Sequence, residues 1–295
     1  MVTVTEAPPR RKVRPFEVVV SRVIQETPDT VTLVFSTGEE RHDYKAGQFI
    51  TIAVHQFDAL RGFTSFLENL KKKKEQPRAY SLASAPYEPF IAITIKEERY
   101  AAGVTPYPPL LSPLLVYNTP VGTRMTATGF TGAYTLPDDV EQQTDHLVHL
   151  VAGSGSVPNF SIVKQDLRMG KKLRHTFIYS NKTWEDVCFR EQLHELEQSD
   201  PRRLRVVHAL TRETNEALFG ERIRKGRINP DLIREFVPDP KAALFYVCGP
   251  AITSWERKHA LEKGVQPQPR FLEATLEHLH QLGVDTKKVK RESWG

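Results

Sequence analysis

The chain has 295 residues, of which 39% are hydrophobic and 26% charged, with a formal charge of +5. At ~100–200 residues per domain, this length predicts two domains, each able to bury its own core. No apolar run approaches the ~18 residues of a membrane span, and the opening MVTVTEAPPRRKVRP lacks the apolar centre of a secretory signal. The expectation is a cytoplasmic protein without a transmembrane segment, entered by a solvated, flexible arm over residues 1–15. The modest positive charge favours acidic partners, and without an RNA- or DNA-binding motif it argues against nucleic acid. The two cysteines, Cys188 and Cys248, sit in apolar stretches and cannot form a disulfide framework. Nor can they alone hold an all-cysteine two-iron cluster, which needs about four such ligands.

Residues 16–138 read as β-rich. Short runs rich in Val, Ile, Thr and aromatics predict strands at 16–24, 29–36, 49–54, 79–84, 90–96 and 123–129, bounded by turn residues. Such a series predicts an antiparallel sandwich or barrel. After Pro137–Glu141 the rhythm changes. HLVHLVAG (146–153) is a continuous apolar strand, followed by a helical stretch ending at Gly170. The strand LRHTFIYS, the helical EDVCFREQLHELEQ, the strand LRVVHAL, the helix INPDLIREF, the strand ALFYVCG and a helix stopped by Gly283 come next. Alternating strands and helices over 139–295 predict a parallel, doubly wound sheet. Two stretches, 55–77 and 253–269, fit neither rhythm and read as inserts.

Three short motifs carry the chemistry. The first is Arg78-Ala79-Tyr80-Ser81, at a predicted strand. The second is LVAGSGSVPN, where a strand enters a turn with Gly153, Ser154 and Gly155 and then a helix with Pro158 near its start. Glycines there allow close backbone approach, and the helix N-terminus offers N–H groups to a pyrophosphate. The third is Cys248-Gly249-Pro250, closing a late strand. Each is weak alone. Taken in this order and fold context, they resemble the ferredoxin–NADP⁺ reductase superfamily, over about residues 14–295 apart from the two inserts.

The resemblance implies an antiparallel flavin-binding barrel over 16–138 and a Rossmann-like NAD(P)-binding domain over 139–295. It implies FAD as cofactor and NADH or NADPH as donor, with NADH favoured by the Asn-Lys-Thr-x-x-Asp run from Asn181. Arg78 would hold the flavin pyrophosphate through a planar, charge-assisted fork. Tyr80 would supply a ring and hydroxyl, and Ser81 a hydrogen bond near the reacting flavin nitrogen. Ala79, Ile95 and Lys96 fall on the strands of that site, and Ser112 would cap a helix near the flavin phosphates. Cys248 and Glu292 would border the catalytic centre with Ser81, and Gly249 would keep room for the nicotinamide ring. Ser180, Asn181, Thr211 and Arg212 would meet the adenosine end of the nucleotide, with Pro250 beside its other end. Trp294 would stack on the flavin. No metal-ligand spacing is present.

This reading describes an NAD(P)H-dependent flavoprotein reductase. Without cluster ligands of its own, the chain would pass electrons to a separate acidic ferredoxin or an oxygenase component. The lysines at 71–74 read first as a solvated loop, and their sharper reading is a docking surface for the acidic partner. Free flavin, a quinone or a haem protein are alternative acceptors, and a non-catalytic flavin- or nucleotide-binding regulatory subunit is the alternative to an enzyme.

Overall fold

The computed structural model describes residues 13–39, 42–103 and 105–294, with the ring of Trp294 outside what is described. The expected arm therefore lies largely outside the described residues.

The first half forms a six-stranded antiparallel sheet from β1 (Arg14–Thr27), β2 (Thr30–Ser36), β3 (Phe49–Ile52), β4 (Arg78–Ser81), β5 (Ile91–Lys96) and β6 (Arg124–Thr131), in the order β4-β3-β6-β1-β2-β5. Leu82, one residue past β4, bridges Ile93 of β5, so the two edges meet and the sheet closes into a barrel. Closure removes the exposed strand edges an open sheet would carry. Alternate residues point inward: Val18 and Val20 of β1, Leu33 and Phe35 of β2, and Ile50 and Ile52 of β3 share one apolar core. Pro28-Asp29 turns β1 into β2, and the Asp29 carboxylate accepts the hydroxyls of Thr27 and Thr30 and the Lys96 ammonium.

The stretch at 55–77 is not structureless. It carries α1 (Arg61–Lys71), which buries Thr64, drops Leu67 into the barrel core and leaves Phe66 and Leu70 exposed. Then come α2 (Ser112–Tyr117) and, near the change of rhythm, α3 (Val140–Gln143).

The second half is a six-stranded parallel sheet: β7 (His146–Ala152), β8 (Arg174–Asn181), β9 (Leu204–Leu210), β10 (Ile223–Lys225), β11 (Leu244–Pro250) and β12 (Val289–Trp294), in the order β10-β9-β8-β7-β11-β12. Helices α4 (Ser156–Met169) and α5 (Arg190–Ser199) cover one face. Helices α6 (Pro230–Phe236) and α8 (Phe271–Gln281) cover the other. The stretch at 253–269 holds α7 (Ser254–Glu262), started by a capping box between Thr253 and Glu256. Helix α4 ends at Gly170 in the left-handed conformation, as the sequence predicts.

One local reading is corrected. The stretch from Glu185 is not one helix. A 3-10 turn ends at Asp186, Val187–Phe189 pack into the core, and Phe189 takes a φ of 56°, so α5 starts only at Arg190. The last strand, for which the sequence carries no strand signal, is β12: it runs parallel to β11, with Cys248 opposite Glu292 and Pro250 opposite Trp294.

Candidate active site

From β7 the chain steps one way to β8, β9 and β10, and from β11 the other way to β12. Neighbouring strands β7 and β11 are therefore the topological switch point, where a crevice opens beyond the strands' carboxyl ends. Gly153–Gly155 follows β7 and Cys248–Pro250 closes β11, so both motifs stand at that crevice. The barrel's β4 and β5 face it. The resulting cleft, of about 560 Å³, is lined by Arg78, Ala79, Tyr80 and Ser81 of β4, by Thr94–Glu98, by Leu111 and Ser112, and by Ser154, Pro250, Arg270 and Ser293 from the other half. A volume in the ~300–1,000 Å³ range suits an organic ligand. Thus the structure gathers Arg78, Ala79, Tyr80, Ser81, Ile95, Lys96, Ser112, Ser154 and Pro250 around one space.

Ser81 is buried, and its Oγ donates to Glu292 Oε2 at 3.4 Å. This contact joins the barrel to the last strand of the sheet. Burial pushes the Glu292 carboxyl up to about 7, and the Ser81 hydrogen bond only partly offsets this. The Cys248 thiol is fully buried and raised well above its ordinary range, first by burial and then by the Glu292 charge. Tyr134 is buried alongside and pushed up first by burial and then by Cys248, with Glu292 contributing. It was not anticipated, because nothing in GAYTLPDD distinguishes a site tyrosine from a core one.

Several expectations meet a different geometry. A Cβ on Gly155 would lie 2.3 Å from the Cys248 carbonyl oxygen, so the glycine is required by packing of its turn against β11. Gly153 takes a φ of +53° and faces open space. The room beside Gly249 is filled: a Cβ there would stand 2.5 Å from the Phe271 ring and 3.2 Å from Ala152 Cβ. Ser112 does not cap α2. It is the first residue of that helix, and its hydroxyl accepts the Glu98 backbone N–H at 3.1 Å. Pro158 is buried within α4.

The Arg78 guanidinium donates at 2.6 Å to Glu75, a buried carboxylate that also accepts Lys71 at 2.6 Å. Lys96 is paired with Asp29 at 2.5 Å. At the far end of the crevice, Thr211 N–H and hydroxyl both donate to the Asn181 carbonyl, and Arg212 N–H donates to that of Lys182. Ser180 and Asn181 close β8 there. The Asn181 carboxamide is buried with neither its oxygen nor its nitrogen satisfied, an arrangement native proteins avoid unless a ligand or water completes it. A cation and a ring on β4, a buried hydroxyl at its end, and an unsatisfied amide beyond the glycine turn form a donor set that fits an elongated flavin and nucleotide pair. Among the described residues, no group of three or more His, Cys, Asp or Glu could hold a metal. Among the same residues, no helix is long and apolar enough to cross a membrane.

Residues 150–253 match the family model of the oxidoreductase NAD-binding domain. The chain is 28% identical over 282 residues to flavohemoprotein A of Dictyostelium discoideum, covering 95% of this chain and 60% of that protein. It is 32% identical over 201 residues to the ferredoxin reductase component of 3-ketosteroid-9-alpha-monooxygenase from Mycolicibacterium smegmatis, covering 66% of this chain and 49% of that one. It thus spans about half to three fifths of these relatives. The flavohem-like FAD/NAD binding domain of nitric oxide dioxygenase from Vibrio cholerae O1 biovar El Tor shares the fold, with a TM-score of 0.70 at 19% identity over 96% of this chain and 100% of that one.

Proposed function

We propose a function from one premise: the chain belongs to the ferredoxin–NADP⁺ reductase superfamily. It is an FAD-dependent NAD(P)H oxidoreductase that hands electrons to a separate ferredoxin or oxygenase component. The observation that carries this reading is the Ser81–Glu292 contact, with Cys248 in register beside it. A hydroxyl, a carboxyl with a near-neutral pKa and a buried thiol meet where the two halves meet. That is the point at which a flavin from one half and a nicotinamide from the other would react.

Bound FAD would supply the redox chemistry, taking two electrons as hydride and releasing them singly. The chain's residues supply position and field. Arg78 offers the pyrophosphate a fork that Glu75 holds toward the insert until a stronger anion competes. Tyr80 offers its ring as one wall. Ser81 directs a hydrogen bond, and Glu292 can hold a proton at Oε2 near neutral pH or release it. The turn at Gly153–Gly155 and the amide of Asn181 line the nucleotide's path. NADH is the favoured donor. Asp186 is engaged with Thr183, so the carboxylate this segment would offer a ribose hydroxyl is the exposed Glu185.

The acceptor surface is the exposed Lys72, Lys73 and Lys74 at the end of α1, a basic patch complementary to an acidic protein. A haem protein as acceptor is the second reading, favoured by the flavohemoprotein likeness along almost the whole chain.

The test is anaerobic titration of the purified protein with NADH and then NADPH, followed by release and identification of the flavin. Bleaching of bound FAD by NADH, with turnover on ferricyanide, is expected. Protein that binds no flavin when reconstituted would overturn the reading. Comparing rates with an acidic ferredoxin and with a haem protein separates the acceptors.

A further inference from the structure

A line of buried polar side chains crosses the second half and takes no part in the chemistry above. Asn159, on the first turns of α4, is fully buried. Its Nδ2 donates to the Gly155 carbonyl at 3.3 Å and to Tyr134 Oη at 3.1 Å. The carbonyl can only accept, which fixes the amide's orientation and turns Oδ1 toward His149 Nδ1 at 2.8 Å. His149 Nε2 lies 3.0 Å from His175 Nδ1. His175 Nε2 lies 2.9 Å from Asp166 Oδ2, which also accepts Arg203 at 3.0 Å. His149, His175 and Asp166 are all essentially inaccessible to water.

The donors and acceptors in this line can be counted. Asn159 Oδ1 is an acceptor, so His149 carries its proton on Nδ1. Burial, and then the neighbouring His175, hold the His149 pKa down to about 3, so it has only that one proton and Nε2 is a lone pair. His175 Nδ1 must therefore donate to His149. His175 Nε2 faces a carboxylate and must donate as well. Both ring nitrogens of His175 carry hydrogen. With one fewer proton, two acceptors would face each other inside the sheet, where no water can intervene.

We propose that Asn159 is a positioning residue for the nucleotide turn, held in one orientation by a buried imidazolium at His175. The carboxamide ties together three parts of the molecule: the carbonyl of Gly155, which packs on Cys248; the phenol of Tyr134 between the two halves; and strand β7 through His149. His175 and the Arg203 guanidinium share the single Asp166 carboxylate, and Arg203 makes further bonds to the carbonyls of Asp166, Leu167 and Leu173. The inference rests on the proposed function only in taking the turn at Gly153–Gly155 to face the nucleotide.

Two measurements test it. Nitrogen-15 NMR of the full chain at neutral pH should show His175 with both ring nitrogens protonated and His149 as the Nδ1–H tautomer. A neutral His175 overturns the proposal whether or not the protein binds nucleotide. In steady-state kinetics, Asn159→Leu should raise the KM for NADH about tenfold, with kcat and flavin content little changed, because a misplaced turn weakens binding before it alters chemistry. Asn159→Asp should not restore it, since it keeps the acceptor and loses both donors. An unchanged KM in Asn159→Leu, or recovery in Asn159→Asp, overturns the positioning role. If Asn159→Leu does not fold, Tyr134→Phe removes one of the same contacts and should raise KM in the same direction by less; no rise overturns the role equally. A protein that binds no flavin or NADH refutes the proposed function and leaves the NMR result to decide on His175.

Discussion

The two walls of the cleft are built from different material. The barrel wall presents side chains: a guanidinium at Arg78, a ring at Tyr80 and a hydroxyl at Ser81, with Arg78 braced by Glu75 from the adjoining insert. The sheet wall presents mainly backbone: the turn after β7, the end of β11, and glycines whose missing Cβ atoms let those segments touch. The barrel wall is therefore sensitive to chemistry and the sheet wall to volume.

The largest expected effect is on the sheet wall. Gly155→Ala puts a Cβ against backbone atoms that cannot swing aside, and should cost roughly 3 kcal/mol or more in urea unfolding. An unchanged unfolding midpoint would show that the turn and β11 do not pack as tightly as this contact requires. On the barrel wall, Ser81→Ala removes one directed hydrogen bond and little volume. Flavin reduction by NADH should slow about a hundredfold in stopped flow, with stability almost unchanged. Arg78→Ala should weaken FAD binding about tenfold by fluorescence titration while the folded chain persists, and equal affinity would remove Arg78 from the site.

Glu292 sharpens the boundary between the walls, because it sits on the sheet but touches the barrel. Its folded pKa of about 7 lies above the ordinary 4.5, so its contribution to stability is full below 4.5 and is lost as pH rises through 7. Glu292→Gln should therefore be more stable than the parent at pH 8, by on the order of 1 kcal/mol given the partial exposure of the group. The gap should close toward pH 5. A difference independent of pH would show that burial does not set this carboxyl's state. The smallest effect is at the surface. Changing Lys72, Lys73 and Lys74 to Glu should leave ferricyanide turnover intact and lower the rate with an acidic ferredoxin severalfold at low salt, with the difference fading as salt is added.

Much of this was legible because it is local. Strand alternation in VTLVF and the apolar run HLVHLV fix strands through side-chain periodicity, and Gly170 marks the end of α4 through its left-handed φ. The elements missed were those whose signal is not local. KVKRES has almost no apolar residues, and it forms a strand because β11 offers it an unpaired edge. The helix in the insert at 55–77 exists because the barrel core accepts Leu67. Phe189 interrupts an otherwise helical pattern because its ring stacks on Phe160 at 4.2 Å.

The two halves, the order of the three motifs and the presence of only two cysteines follow from periodicity, composition and counting. That Ser81 meets Glu292 across 211 positions of chain, that a Cβ on Gly249 would meet Phe271, and that Asn159 bonds His149, itself paired with His175 of the next strand, came only from the folded arrangement. Those are contacts between segments distant in sequence, and their partners are chosen by sheet register and packing, which no window of residues contains.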